Sequence, residues 1–286
     1  MKILVAGAAG MLGQDLVPVL QAAGHEVIST DVNGILPRFD LTDRDHITAV
    51  LEAEQPETLI NCAAYTQVDR AEDEVDLAYR INAQGPWNVA LACAERGIHL
   101  LHVSTDYVFD GLATTPYDEF ARTNPQGVYG RSKEAGEQAI REVHRQATIV
   151  RTSWLYGQHG PNFVETMLRL GQIRPELKVV SDQRGGPTWA HDLAHRLAFL
   201  VEARAYGTYH LSGQGDCTWF DFAKAIFTKA GMDVNVLPQT TAELGRPAPR
   251  PAYSVMRSRR WEWVGDRPML PWQDALDAYM VARQRA

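Results

Sequence analysis

The chain has 286 residues, of which 45% are hydrophobic and 22% charged, with a formal net charge of −7. That length is about twice a usual single domain, so one large α/β domain or two lobes sharing a core are the leading architectures. The apolar and charged fractions argue against disorder. The acidic balance offers no basic face for nucleic acid, and no run of roughly 18 apolar residues offers a membrane span, so a cytoplasmic location is expected. Cys62, Cys93 and Cys217 are dispersed, odd in number and without a C-x-x-C pair, which excludes a disulfide framework and a cysteine-based zinc site.

Residues 2–6 read as a short buried strand and 11–23 as a helix ended by Gly24. The segment between them carries Gly7, Gly10 and Gly13 and is closed by Asp15, which suits a strand and a phosphate loop better than a secretory leader. A second strand over 25–30 leads into Asp31, and Ile47, Val50 and Leu51 mark a helix within 43–54. A third strand follows at 58–64, a long helix at 75–96 closed by Gly97, a fourth strand at 99–104, a helix at 129–143 and a fifth strand at 147–152. Strands alternating with helices of this length imply βαβ units and a parallel sheet covered on both faces.

Beyond Arg151 the rhythm breaks into shorter elements, with helices expected at 162–172, 189–204 and 218–230. Residues 245–252 cannot be helical, because Pro247, Pro249 and Pro251 lack amide donors and restrict the residues before them. They form a loop, either a plain connector or one that brings Arg250 to a ligand. The predicted fold is a Rossmann-type doubly wound parallel sheet with a smaller C-terminal substrate-binding lobe. Residues 1–155 form the dinucleotide-binding domain with 189–212 returning to it, and 156–188 with 213–286 form the lobe.

Three glycines at spacing three, on the turn from first strand to first helix, match a dinucleotide-binding loop. One glycine permits the tight turn, one lets the backbone approach a pyrophosphate, and one packs helix against strand. Asp31 at the end of the second strand is placed to accept hydrogen bonds from the adenosine ribose and to repel a 2′-phosphate. Arg38 is near enough in sequence to assist such a phosphate, so both NADH and NADPH stay open as cofactors. Asp40 and Leu41 would lie near the adenine if a short strand runs there.

Tyr129 and Lys133 form a Y-x-x-x-K at the start of a helix, on one face at i, i+4 spacing. A free tyrosine, with its pKa near 10, is a slow proton donor at neutral pH unless a cation stabilises the phenolate, and Lys133 supplies that cation. Ser104, Thr105 and Asp106 end the fourth strand, where an open parallel sheet places its ligand crevice. A hydroxyl there can hold a carbonyl oxygen. His102, His191 and His195 read as structural, since a strand histidine or a helical i, i+4 pair has no H-E-x-x-H around it.

Together the G-x-x-G-x-x-G loop, Asn61-Cys62-Ala63-Ala64, Asn82, the hydroxyl at the fourth strand and Tyr129-x-x-x-Lys133 resemble the extended short-chain dehydrogenase/reductase family. Within it the segments 61–72, 104–111, 151–157, 162–163, 182–188 and 250–254 are most similar to the dTDP-4-dehydrorhamnose reductases. The resemblance implies Thr105, Tyr129 and Lys133 as catalytic triad. It implies Gly7, Gly10, Met11, Leu12, Gly13, Asp31, Asp40, Leu41, Ala63, Ala64, Tyr65, Asn82, Tyr129 and Lys133 as the cofactor site. Asp106, Val108, Phe109, Trp154, Asn162 and Arg250 become the substrate-contacting set, with Asn162, Arg250 and the 183–188 turn as candidates for the nucleotide diphosphate and base.

The implied substrate is a dTDP-linked 4-keto-6-deoxysugar, reduced with NADPH or NADH. Some members bind magnesium at a dimer interface through acidic residues; Asp15 is the candidate here, but no separate ligand pattern accompanies it and no metal is expected. A homodimer is compatible with the resemblance. Two alternatives stand beside it: a nucleotide-sugar epimerase or dehydratase on the same scaffold, and a non-catalytic regulatory subunit resembling the methionine adenosyltransferase β subunit. No glutamate adjoins Asp106 to supply a dehydratase's second carboxylate, and the intact triad favours catalysis.

Overall fold

Five apolar runs become the strands β1 (Lys2–Ala6), β2 (Glu26–Thr30), β3 (Thr58–Asn61), β4 (His99–Thr105) and β5 (Ala147–Thr152) in the computed structural model, which describes residues 1–264 and 267–284. With Gly207–His210 at one edge they form a six-stranded sheet in the order Gly207–His210, β5, β4, β3, β1, β2, with every pairing parallel. Alternation along β1 sends Ile3 and Val5 to one face and Leu4 and Ala6 to the other. Helices bury both faces. Leu12 and Leu16 of α1 (Met11–Ala22) pack on the first face, and Ile47 and Leu51 of α2 (Arg44–Glu54) on the second.

Strand order reverses between β1 and β3, which opens a crevice outside their carboxyl ends. β3 stops at Asn61, short of the expected residue 64, because the Asn61 side chain accepts the Ala63 N–H at 3.0 Å and turns the backbone out of the ladder. The expected 75–96 helix is interrupted: Val75–Tyr79 leads into a π turn at Arg80–Gln84 before Gly85–Arg96 resumes. Pro86 explains this, since it cannot donate to the Asn82 carbonyl four residues back. The short strand anticipated near Asp40 is reduced to a single bridge between Asp31 and Arg38.

A separate aromatic core of Tyr156, Trp189, Phe222, Trp272 and Tyr279 gathers the helices Phe163–Gly171, Trp219–Ala230 and Trp272–Arg283. Leu193 and Leu197 of the Ala190–Glu202 helix join the sheet core beside Leu12 and Leu16 instead. Residues 265–266 and 285–286, within the span expected for the second lobe, lie outside the described residues. Residues 245–252 carry no helix or strand. Among the described residues no helix is long and apolar enough to cross a membrane.

Candidate active site

At the mouth of the crevice the three glycines divide their work by geometry. Gly7 adopts φ +80°, and a Cβ there would stand 2.7 Å from the Ala63 nitrogen, so only glycine fits where the loop crosses the end of β3. A Cβ on Gly13 would meet the Gly7 carbonyl oxygen at 2.3 Å, which shows how closely α1 sits on the loop. Gly10 has only the Gly7 carbonyl within reach, at 3.2 Å, leaving its outer side open. Gly10 caps α1 without a side-chain acceptor, so the first amides of the helix, on Met11 and Leu12, point outward with the positive end of the helix dipole. An anionic pyrophosphate fits this cradle.

Asp31 leans onto the same loop: one carboxylate oxygen accepts the Ala9 N–H at 3.2 Å and the other the Val32 N–H at 2.8 Å. Asp40 and Leu41 follow Phe39, whose N–H donates to the Asp31 carbonyl at 2.9 Å. Asp40 takes the Arg38 guanidinium at 2.8 Å and the Thr42 amide at 2.9 Å, while the Leu41 carbonyl accepts from Asn88 at 3.1 Å. Ala63, Ala64 and Tyr65 follow β3 past Gly7 into the crevice. Asn82 lies behind them, 1% exposed, accepting the Tyr65 N–H at 2.8 Å and donating to the Tyr65 carbonyl at 3.0 Å and to Ser132 Oγ at 3.1 Å. Its side chain ties that segment to the helix that carries Tyr129 and Lys133. The π turn is what aims it inward.

Tyr129 and Lys133 lie on the Val128–Val143 helix, whose N-terminus abuts the end of β4. Burial pushes the Tyr129 phenol up to about 12, with the neighbouring Thr105 pulling the other way. Thr105 Oγ donates to Asp106 Oδ1 at 3.0 Å and accepts the Tyr107 N–H at 3.2 Å. Burial raises the Asp106 carboxyl to about 6, with the Thr105 bond pulling the other way. Lys133 is 2% exposed; its Nζ donates to the Val103 carbonyl at 2.8 Å and meets His102 Nε2 at 3.2 Å. Burial pulls this lysine down to about 8, opposed by Glu137 one helical turn on.

The anticipated substrate residues divide. Asp106 adjoins the triad. Val108 and Phe109 do not face the crevice: the short turn Asp106–Val108 directs them into a buried cluster where Phe109 stacks on Tyr117 at 4.2 Å between centroids. Asn162 is the N-cap of Phe163–Gly171, accepting the Glu165 N–H at 3.1 Å and donating to the Gly157 carbonyl at 2.8 Å. Trp154 stacks on Trp219 at 3.5 Å between centroids and 7° between planes. Arg250 grips both Asp69 oxygens, at 2.9 and 3.0 Å, which docks the 245–252 loop on the Val68–Ala71 helix beside the Rossmann sheet.

Sequence reading missed the group behind the triad. Glu137, fully enclosed, accepts from Arg151 Nη2 and Arg141 Nη2 at 2.6 Å each and from Ser104 Oγ at 2.6 Å. The signal was present as Tyr129, Lys133, Glu137 and Arg141 at successive i, i+4 steps. Asp69 was missed as Arg250's partner, since nothing local links positions so far apart.

Comparison with known proteins places this geometry in context. A family model described as RmlD substrate binding domain matches residues 1–285. The chain is 43% identical over 285 residues to the spore coat polysaccharide biosynthesis protein SpsK of Bacillus subtilis (strain 168), covering 100% of this chain and 99% of that protein. A dTDP-4-dehydrorhamnose reductase structure from Clostridium acetobutylicum ATCC 824 matches with a TM-score of 0.95 at 44% identity, covering 99% of this chain and 100% of the other. A dTDP-4-dehydrorhamnose reductase from Bacillus anthracis str. Ames, solved in complex with NADP, matches at 0.94 and 44% identity over 98% of this chain and 99% of its own. With a family match spanning nearly every residue and relatives this similar along their full length, the chain belongs to the RmlD substrate binding domain family.

Proposed function

We propose that the protein is a nicotinamide-dependent reductase that converts dTDP-4-dehydro-L-rhamnose to dTDP-L-rhamnose, with Tyr129 as proton donor. The observation that carries this reading is the convergence of Tyr129, Thr105 and Lys133 at the carboxyl end of β4, beside a glycine loop shaped for a dinucleotide. The relatives named as dTDP-4-dehydrorhamnose reductases, one of them solved with NADP, support the sugar and the cofactor class.

The open face of Gly10 and the amides of Met11 and Leu12 would hold the pyrophosphate, with Asp31 toward the adenosine ribose and Lys133 toward the nicotinamide ribose. When bound, reduced nicotinamide supplies the hydride for the C4 carbonyl carbon. Thr105 orients the carbonyl oxygen by turning its proton from Asp106 to that oxygen. Tyr129 donates its proton to the oxygen as negative charge develops there, and a positive Lys133 lowers the cost of the phenolate left behind. Trp154, stacked on Trp219, offers an apolar wall for the sugar. Arg250, half of an ion pair with Asp69, stands at the edge of the site as the candidate for the diphosphate. The free thiols at Cys62, Cys93 and Cys217 suit a reducing cytoplasm.

The test is loss of absorbance at the reduced-nicotinamide band with a panel of keto-sugar nucleotides, using NADH and NADPH, for the wild type and Tyr129→Phe. The expected result is turnover of dTDP-4-dehydro-L-rhamnose and a fall of at least about a hundredfold in kcat for the variant. Turnover of a different keto sugar alone would reassign the substrate. No turnover of any would sink the reductase reading and favour a binding role, and an unaffected variant would remove Tyr129 as the proton donor.

A further inference from the structure

Lys133 is surrounded by groups whose hydrogens can be counted. The Ala63 N–H points at one oxygen or nitrogen of the Asn61 amide at 3.0 Å, and because an N–H donates, that atom is the oxygen. The Asn61 NH2 therefore faces His102 Nδ1, at 3.0 Å. His102 Nε2 in turn faces Lys133 Nζ at 3.2 Å, and Nζ also reaches the Val103 carbonyl at 2.8 Å. Asn61 and His102 are 0% exposed and Lys133 2%, so no solvent substitutes for a mismatched contact.

Three protonation patterns compete. An imidazolium would set donors against both Asn61 and Lys133. A neutral ring with its proton on Nδ1 would accept from a Lys133 ammonium but turn N–H against the Asn61 NH2. A ring with its proton on Nε2 accepts from Asn61 and donates to the lone pair of an uncharged Lys133 amine, whose own N–H reaches Val103. Only the last leaves none of these three contacts with two donors facing each other, and such a mismatched buried contact costs roughly 1–3 kcal/mol.

We propose that Asn61 and His102 form a buried chain that eases proton loss from Lys133 while the site is empty, making His102 the positioning residue of the Tyr129/Lys133 pair. His102 is thus more than the structural strand histidine expected from the sequence. Other groups face the same lysine: Glu137 on its own helix favours the ammonium, and Cys62, from the segment after β3, is a thiol that burial pushes up to about 12, so it stays uncharged while the lysine titrates. Burial and the lysine both hold the His102 ring far below the usual histidine range, so that ring stays neutral and its tautomer, not its charge, carries the effect. This inference rests on the proposed role of Lys133 as partner of Tyr129, but its test does not.

The experiment uses the full chain without nucleotide, labelled with ring-15N histidine and with 13C at lysine Cε, and followed by NMR across pH. The chain has five lysines and nine histidines, so the signals separate readily; Lys133→Arg and His102→Asn assign them. The expected result is His102 protonated on Nε2 only, and Lys133 losing its proton at least about one pH unit below the other lysines. Asn61→Asp still accepts from Ala63 but now also accepts from the ring, so the His102 proton should move to Nδ1 and the Lys133 titration should rise. His102→Asn reaches only the Nδ1 position, keeps the Asn61 contact and removes the donor from Lys133, which should likewise raise its titration. Where Asn61→Asp fails to fold, the wild-type tautomer and His102→Asn decide. An Nδ1 proton in the wild type, or a Lys133 that titrates with the other lysines, overturns the inference. Failure of the reductase assay would leave these NMR outcomes intact, so the two readings fail separately.

Discussion

Glu137→Gln should destabilise the protein by about 3–5 kcal/mol, because it removes one member of a buried ion pair and strands the other. The Glu137 and Arg151 side chains are 0% and 3% exposed. Arg151 reaches the carboxylate through Nη2 at 2.6 Å and Nε at 2.9 Å, while Ser104 and Arg141 add donors at 2.6 Å each. A glutamine keeps one acceptor oxygen and turns an NH2 toward a donor, leaving the guanidinium uncompensated. Burial alone would raise the Glu137 carboxyl, but its cationic partners outweigh that and hold it at about 2, against an ordinary 4.5. The folded value is depressed, so the pair's contribution is complete above pH 4.5 and is lost as pH falls toward 2. Thermal melts at pH 7 should show a loss of roughly 10 °C for Glu137→Gln. The double variant Glu137→Leu/Arg151→Met should recover most of it, since replacing both charges with apolar groups costs less than breaking the pair. A single variant within about 1 kcal/mol of wild type, or a double variant no better than the single, would refute this account.

Asp31→Ala should raise the ratio of kcat/KM for NADPH over NADH by about tenfold or more, since a carboxylate a few ångströms from a 2′-phosphate costs ~1–4 kcal/mol; an unchanged ratio in steady-state assays would free Asp31 of any part in cofactor choice. Arg250→Met should raise KM for the sugar nucleotide while leaving the NADH dissociation constant, read by fluorescence titration, unchanged. Asp69→Asn should share the stability loss of that broken pair yet raise KM less, and equal effects on KM would reduce Arg250 to a strut. Asp106 has a raised folded pKa of about 6 against an ordinary 3.8, so it favours folding fully below 3.8 and loses that contribution as pH rises through 6. Asp106→Asn should therefore stabilise the protein at pH 7 by about 1–3 kcal/mol in urea melts and remove any inflection near pH 6 from kcat/KM, and a destabilised variant would contradict the assignment.

The parts of the fold legible in the sequence are those whose cause is local. Gly7, Gly10 and Gly13 announce the loop because a tight turn, an open approach and a close helix each demand a missing Cβ within a few residues. The βα rhythm is equally local, since buried strands and amphipathic helices differ in period. What sequence reading could not supply was direction. Val108 and Phe109 share a segment with Thr105, but a single turn after β4 sends their side chains into the core. Asn82 has the residue type of a ligand contact, and only the π turn caused by Pro86 reveals that its amide is consumed by Tyr65 and Ser132. Asn162, a candidate through the family resemblance, is also a helix cap, as a short amide in extended backbone before a helix readily becomes. A pair closed by tertiary structure, such as Asp69 with Arg250, leaves no periodic trace at all, and the helical spacing that marks Glu137 says nothing of Arg151.

That contrast bears on how the site is built. The triad hangs from continuous core: Thr105 ends a strand buried along nearly its whole length, and the Tyr129 helix is pinned from below by Glu137 and Arg151. The side proposed for the sugar hangs from joints. Trp154 follows β5 by two residues, where the chain leaves the sheet for the second aromatic core, and it sits at φ 47°, a left-handed conformation unfavourable for a bulky side chain. Such strain costs on the order of 1–3 kcal/mol and persists only where the surroundings over-determine it. Here they do: Trp219 stacks on one side of the indole, and Gly185 approaches so closely that a Cβ would lie 2.5 Å from it. The joint and the proposed sugar wall are therefore one object, and substitutions at Gly185 or Trp219 act on substrate fit through the path of the backbone between the two cores.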